Sequence, residues 1–135
     1  LQGTVRCFSQ EVREKVFTRI KQICEGISAA YGATCIVEPF YGYPPVINNK
    51  AVSAVVAEVG VAVLGERGVV ELKPAMVGED FSFYQQLAPS AFIFTGCGNV
   101  EKGFVYPLHH PKFDMDEEAL RIGVEVMSRT AVKLL

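Results

Sequence analysis

The chain has 135 residues, 50% of them hydrophobic and 21% charged, a length and make-up for one domain or two small lobes with a buried core. Its formal net charge of −2 argues against nucleic acid or an anionic membrane as the main partner. No apolar run approaches about 20 residues and no basic-then-apolar leader is visible, so neither a spanning helix nor a signal segment is expected.

In chain order, Gly3 to Phe8 reads as a short strand. Ser9 can cap a helix whose apolar positions Val12, Val16, Ile20, Ile23, Ile27 and Ala30 recur at helical spacing, with Gly32 as its stop. Thr34 to Phe40, β-branched and aromatic, reads as a second strand, which Pro39 confines to an edge or ends early. Tyr41-Gly42-Tyr43-Pro44-Pro45 is a stiff connector and marks a lobe boundary.

Beyond it, Asn48 or Asn49 can cap a helix that buries Val52, Val55, Val56, Val59 and Val63 and ends at Gly65. Val69 to Lys73 reads as a strand, Met76 to Asp80 as a glycine-containing loop, and Asp80 to Leu87 as a short helix. Ala91 to Thr95 suits a central strand. The last helix is expected from near Asp116, with Leu120, Val124, Met127, Ala131 and Leu134 turned inward. The pattern is α/β throughout. In such folds ligands gather beyond the carboxyl ends of strands, which nominates the loops after Lys73 and Thr95 and the loop carrying the histidines.

Cys7, Cys24, Cys35 and Cys97 form no C-x-x-C pair. They read as reduced, mostly buried thiols of a cytoplasmic protein. Cys97, between two glycines, is the one whose setting could be reactive, although filler is the better reading.

His109 and His110 are the only histidines, in a proline-bounded loop ahead of a helix start. Imidazole so placed suits metal binding or proton transfer, while the bland alternative is two surface histidines. Adjacent extended residues point apart, so both should not serve one metal. Leu108 favours an inward His109. Asp114 and Asp116 could orient an imidazole, but capping the last helix suits them better. In Gly78-Glu79-Asp80 the glycine lets backbone approach a ligand and Glu79 could act as acid, base or ligand. The bland version makes Asp80 an N-cap and Glu79 a solvated neighbour. Arg6 could clamp a substrate carboxylate, or simply face solvent.

Four ordered stretches resemble one family. They are Gly3-Thr4-Val5-Arg6, Gly42-Tyr43-Pro44-Pro45-Val46-Ile47-Asn48, Met76-Val77-Gly78-Glu79-Asp80-Phe81-Ser82-Phe83-Tyr84, and Leu108-His109-His110-Pro111 followed by Phe113-Asp114-Met115-Asp116-Glu117-Glu118-Ala119-Leu120. They look like the C-terminal part of the metal-dependent amidohydrolases of the aminoacylase/carboxypeptidase family, in the branch of hippurate hydrolase, N-acyl-amino-acid amidohydrolase and indole-acetyl-amino-acid hydrolase.

The resemblance implies that residues 1–46 are the second half of a small ferredoxin-like, dimerisation-type lid, a strand–helix–strand unit. Residues 47–135 would be the C-terminal part of an α/β metallo-hydrolase catalytic domain. It implies cleavage of N-acyl amino acids by water on one or two divalent metals, zinc or manganese. His109 then matches a metal ligand, Arg6 the lid arginine for the substrate carboxylate, and Gly78 a loop glycine against the substrate. Glu79 matches an acidic position of open role. Val77 and His110 depart from the branch's usual residues. The general-base glutamate and the other ligands have no counterpart here, and the chain begins without Met, almost directly in a strand pattern. The expectation is a fragment inactive alone, from a cytoplasmic enzyme with a small-molecule substrate and a possible homodimer through the lid. The alternative is a non-catalytic binding or oligomerisation module.

Overall fold

A computed structural model describes all residues, 1–135. Four α-helices form: α1 (Gln10–Ala30), α2 (Lys50–Leu64), α3 (Phe81–Tyr84) and α4 (Glu118–Leu134), with one 3₁₀ turn at Glu66–Gly68. The chain divides into two units, residues 1–47 with 73–88, and residues 48–72 with 89–135. No helix is long and apolar enough to cross a membrane.

The expected α/β architecture is not what forms. None of residues 3–8, 34–40, 69–73 and 91–95 is a strand. The only β-type pairing is an isolated antiparallel bridge between Asn99 and Phe104. The strand–helix–strand lid and the α/β catalytic part are therefore corrected: the elements are helices joined by irregular chain. β-branched content makes a segment compatible with a pleated surface. A strand requires a second segment in register about 4.8 Å away, and none of the four acquires one. Without a sheet there is no carboxyl edge for loops to gather at.

In the first unit, α1 follows its local code. Ser9 is extended (φ −140°, ψ 149°) and its hydroxyl accepts the Val12 N–H at 3.1 Å. At the other end Gly32, at φ +67°, donates to Ala29 O while Ala33 donates to Ser28 O. This pair of bonds is a Schellman stop, which needs a left-handed residue. Aromatic contacts hold the 41–43 segment. Tyr41 meets Phe17 edge-on at 5.3 Å, Tyr43 meets Phe83 at 5.9 Å, and Arg13 Nη1 donates to Tyr43 O at 2.9 Å. No residue of α1 is fully buried, and Val12, Ile23 and Ile27 of its expected inner face are exposed.

In the second unit, Asn49 caps α2 by accepting from Ala51 and Val52. Asn48 does something else. Its side-chain amide donates to Phe92 O and accepts from Phe92 N–H, both at 2.8 Å, so one amide imitates a pair of ladder bonds. α2 packs on α4. The buried residues there are Val59 and Gly60 on α2 and Ala119, Val126 and Thr130 on α4.

The face of α4 expected to turn inward is the exposed one: Leu120, Val124, Met127 and Leu134 are 51–67% accessible. The packed stripe uses smaller residues, Ala119, Val126 and Thr130, because close approach of two helices favours them over bulky side chains.

The expected core is also missing. Only Val59, Ala119 and Val126 are buried hydrophobics, and the surface totals 10995 Å². A self-contained domain of 14.8 kDa would expose about 7,000 Å², and two domains of half that mass about 8,400 Å². Even the second figure leaves a large excess, much of it apolar.

Candidate functional site

The first unit brings three of the nominated residues close in space. The Arg6 guanidinium lies on Gly78: a Cβ there would stand 3.0 Å from Arg6 Nη1 and 3.8 Å from the Tyr43 ring. Arg6, Arg13, Tyr43, Gly78 and Glu79 line one cleft of about 940 Å³. Two guanidinium groups in a cleft suit a carboxylate guest. Arg13 is already engaged by Tyr43 O and by the Tyr41 ring, 5.5 Å from its Cζ. Arg6 is exposed and is the one available to a ligand.

Glu79 has a structural task. Its carboxylate accepts the Phe81 N–H at 3.2 Å, and its carbonyl accepts the Ser82 hydroxyl at 2.9 Å. Asp80, the expected cap of α3, makes no capping bond. Glu79 thus ties the loop to α3 and fixes the stretch in which Gly78 sits.

The second unit carries the histidines. His110 N–H donates to Pro107 O at 3.1 Å, closing a turn over Pro107–His110. His109, third in that turn, has φ +70° and is the one non-glycine residue of the chain with positive φ. A single positive φ at that place is the mark of a type II turn, where glycine is the favoured residue. Any Cβ-bearing residue there costs about 1–2 kcal/mol. The turn points outward, so His109 is exposed rather than inward as Leu108 had suggested.

Below the turn, the loop is pinned at its base. Asp116 N–H donates to Cys97 O at 2.9 Å. The Asp116 carboxylate accepts Asn99 Nδ2 at 2.7 Å and Lys102 Nζ at 2.9 and 3.0 Å. It also accepts the Glu118 N–H at 3.3 Å, the first residue of α4, so the expected capping task is one of several. Lys102 first, then Asn99 and the Glu118 amide, hold this carboxyl below its usual value. Asn99 and Phe104 exchange both backbone bonds, closing the hairpin beside it. Asp114 accepts only from Met115 N–H and reaches no imidazole.

Nothing in the sequence marks Asn99 and Lys102 for this task. Their spacing carries no motif, and only the turn glycines Gly98 and Gly103 hinted at a hairpin. The four cysteines are free, as expected, but partly exposed rather than mostly buried. No group of three or more His, Cys, Asp or Glu side chains able to hold a metal forms within the chain. His109 therefore fits as one contributed ligand, not as a complete site.

Comparison with known proteins gives this geometry its setting. The model of peptidase family M20/M25/M40 matches residues 7–133. The chain is 37% identical over 134 residues to thermostable carboxypeptidase 1 of Saccharolobus solfataricus, covering 98% of this chain and 33% of that protein. It is 35% identical over 136 residues to the N-acetylcysteine deacetylase of Bacillus subtilis, covering all of this chain and 34% of the relative. A crystal structure described as that of an aminohydrolase from methicillin-resistant Staphylococcus aureus superposes with a TM-score of 0.74 at 32% identity, over 93% of this chain and 32% of that one. The chain thus spans about a third of the length of the relatives it matches. It belongs to peptidase family M20/M25/M40.

Proposed function

We propose that this chain is the C-terminal third of a metal-dependent amidohydrolase acting on N-acyl amino acids, with residues 1–46 in its lid and 47–135 in its catalytic part. The observation that carries the reading is His109 at φ +70°. Glycine would hold that turn without strain, so an imidazole there is best explained by what the side chain does. Family membership and relatives named as a carboxypeptidase and a deacetylase support the reaction class.

His109 would hold a divalent ion, zinc or manganese, together with ligands outside these residues. When bound, that ion supplies polarisation of the scissile carbonyl and a water acidified toward neutrality. Arg6 binds the substrate carboxylate by paired N–H donors. Gly78 keeps the backbone low enough for the guanidinium and the substrate to share the cleft. Glu79 orients that loop. The general-base glutamate lies outside these residues. Four free thiols suit a cytoplasmic setting, and the lid is the proposed surface of a homodimer.

A second reading, a binding or oligomerisation module without catalysis, draws on the large exposed apolar surface. One assay separates the two. The 135-residue chain and a longer product that includes its upstream coding region are compared on hippurate and other N-acyl amino acids with zinc or manganese. The longer product should turn over substrate and the chain alone should not. Turnover by the pure chain would overturn inactivity alone, and an inert longer product would favour the module.

A further inference from the structure

Two adjacent histidines share one turn and are held very differently. Every polar group of the His110 backbone is used: its N–H donates to Pro107 O at 3.1 Å and its carbonyl accepts Phe113 N–H at 2.9 Å. Its ring is used as well. Nδ1 accepts the Lys112 N–H at 3.1 Å, which requires an unprotonated Nδ1 and places the ring proton of the neutral imidazole on Nε2. The ring lies flat on Tyr106, with centroids 4.3 Å apart and planes 11° apart. Lys112 Nζ stands 5.8 Å from the same Tyr106 ring. The His109 ring shares none of these bonds.

Tyr106 and His110 flank the three residues Pro107-Leu108-His109. A stacked pair across that span closes the loop at its neck and leaves His109 at the tip. The strain at His109 demands such a clasp. A non-glycine residue at positive φ relaxes unless its neighbours hold it there, and the single Pro107–His110 hydrogen bond is a weak constraint for an exposed turn.

We propose that Tyr106 and His110 are positioning residues that hold His109 in its left-handed conformation and thereby set the affinity of the metal it contacts. His110 is not a second ligand through Nδ1, because that atom is spent on Lys112. The arrangement divides the work between the two histidines: one presents an imidazole, the other fixes the direction in which it is presented. Groups behind a metal ligand commonly govern affinity in this way. The proposal rests on the reading of His109 as a ligand, so its test includes that residue.

The test uses the longer hydrolase that includes this chain, with zinc as the probe and its dissociation constant read by competition with a chromogenic chelator. His110→Ala and Tyr106→Leu should each weaken zinc binding by about tenfold. Tyr106→Phe, which keeps the stacked ring, should retain wild-type affinity, and His110→Phe, which keeps the stack without the Lys112 bond, should lose less than His110→Ala. Unchanged affinity in both His110→Ala and Tyr106→Leu, with affinity lost in His109→Ala, would overturn the clasp and leave the ligand assignment standing. Unchanged affinity in His109→Ala would overturn both. A Tyr106→Phe protein as weak as Tyr106→Leu would show that stacking is not the agent.

Discussion

Arg6 Nη1 stands 3.0 Å from where a Cβ on Gly78 would lie, closer than side chains normally approach. The glycine is thus the floor on which the guanidinium rests. Gly78→Ala should push the guanidinium aside by a few tenths of an ångström and raise KM for N-acyl amino acids with little change in kcat. Arg6→Lys should do more, because an ammonium cannot offer paired donors. A charge-assisted bond is worth about 1.5–3 kcal/mol, so KM should rise at least about tenfold. Steady-state kinetics of the longer hydrolase check both. A fall in kcat at constant KM would place the pair elsewhere in the reaction.

Acid should loosen the base of the histidine loop. The folded-state pKa of Asp116 is lowered from 3.8 by Lys102, Asn99 and the Glu118 amide, in that order. A depressed carboxyl stabilises the fold above its unfolded value, and that contribution is lost as pH falls through the lower folded value. Thermal midpoints measured on descending through 3.8 should drop less steeply in Asp116→Asn than in wild type. Equal slopes would show that the ionised Asp116 carboxylate carries no stability. The side chain of Lys102 is 56% exposed, so the effect should shrink in high salt.

Packing of α2 can be tested at one glycine. A Cβ on Gly60 would stand 2.9 Å from Val69 Cγ2. Gly60→Ala gains about 1 kcal/mol of helix propensity but overpacks a stiff β-branched neighbour, at a cost of about 1–3 kcal/mol. The net effect should be neutral to destabilising by about 2 kcal/mol. Adding Val69→Ala to Gly60→Ala should then cost less than Val69→Ala costs alone. Denaturant midpoints of the three variants decide it, and strict additivity would remove the contact.

The sequence was legible where structure is local. Ser9, Gly32, Asn49 and Gly65 mark helix ends because capping needs only neighbouring residues. It was not legible where structure depends on partners. Residues 3–8, 34–40, 69–73 and 91–95 have the composition of strands but form none. The α4 stripe of Leu120, Val124 and Met127 looks like a core face, yet the structure buries the neighbouring face of Ala119, Val126 and Thr130 instead. Hydrophobic periodicity says that a face is apolar, not what covers it. The site divides the same way. Arg6, Gly78 and His109 stand out by residue type, whereas Asn99, Lys102 and Tyr106 matter only through distances that folding creates.

That uncovered surface has its own consequence. With three buried hydrophobic residues and a surface well beyond that of a self-contained chain of its mass, the isolated 135-residue chain should self-associate and bind a hydrophobic dye. A dye-silent monomer by light scattering at high concentration would contradict this.

The most direct test of the central claim is the metal content of the longer hydrolase with His109 replaced. The protein is loaded with zinc, passed through a desalting column and analysed for bound metal, beside the wild type. His109→Ala should lose its metal and its activity, while a folded wild type keeps both. A His109→Ala protein that retains stoichiometric zinc and full turnover would contradict the assignment of His109 as the ligand this chain provides.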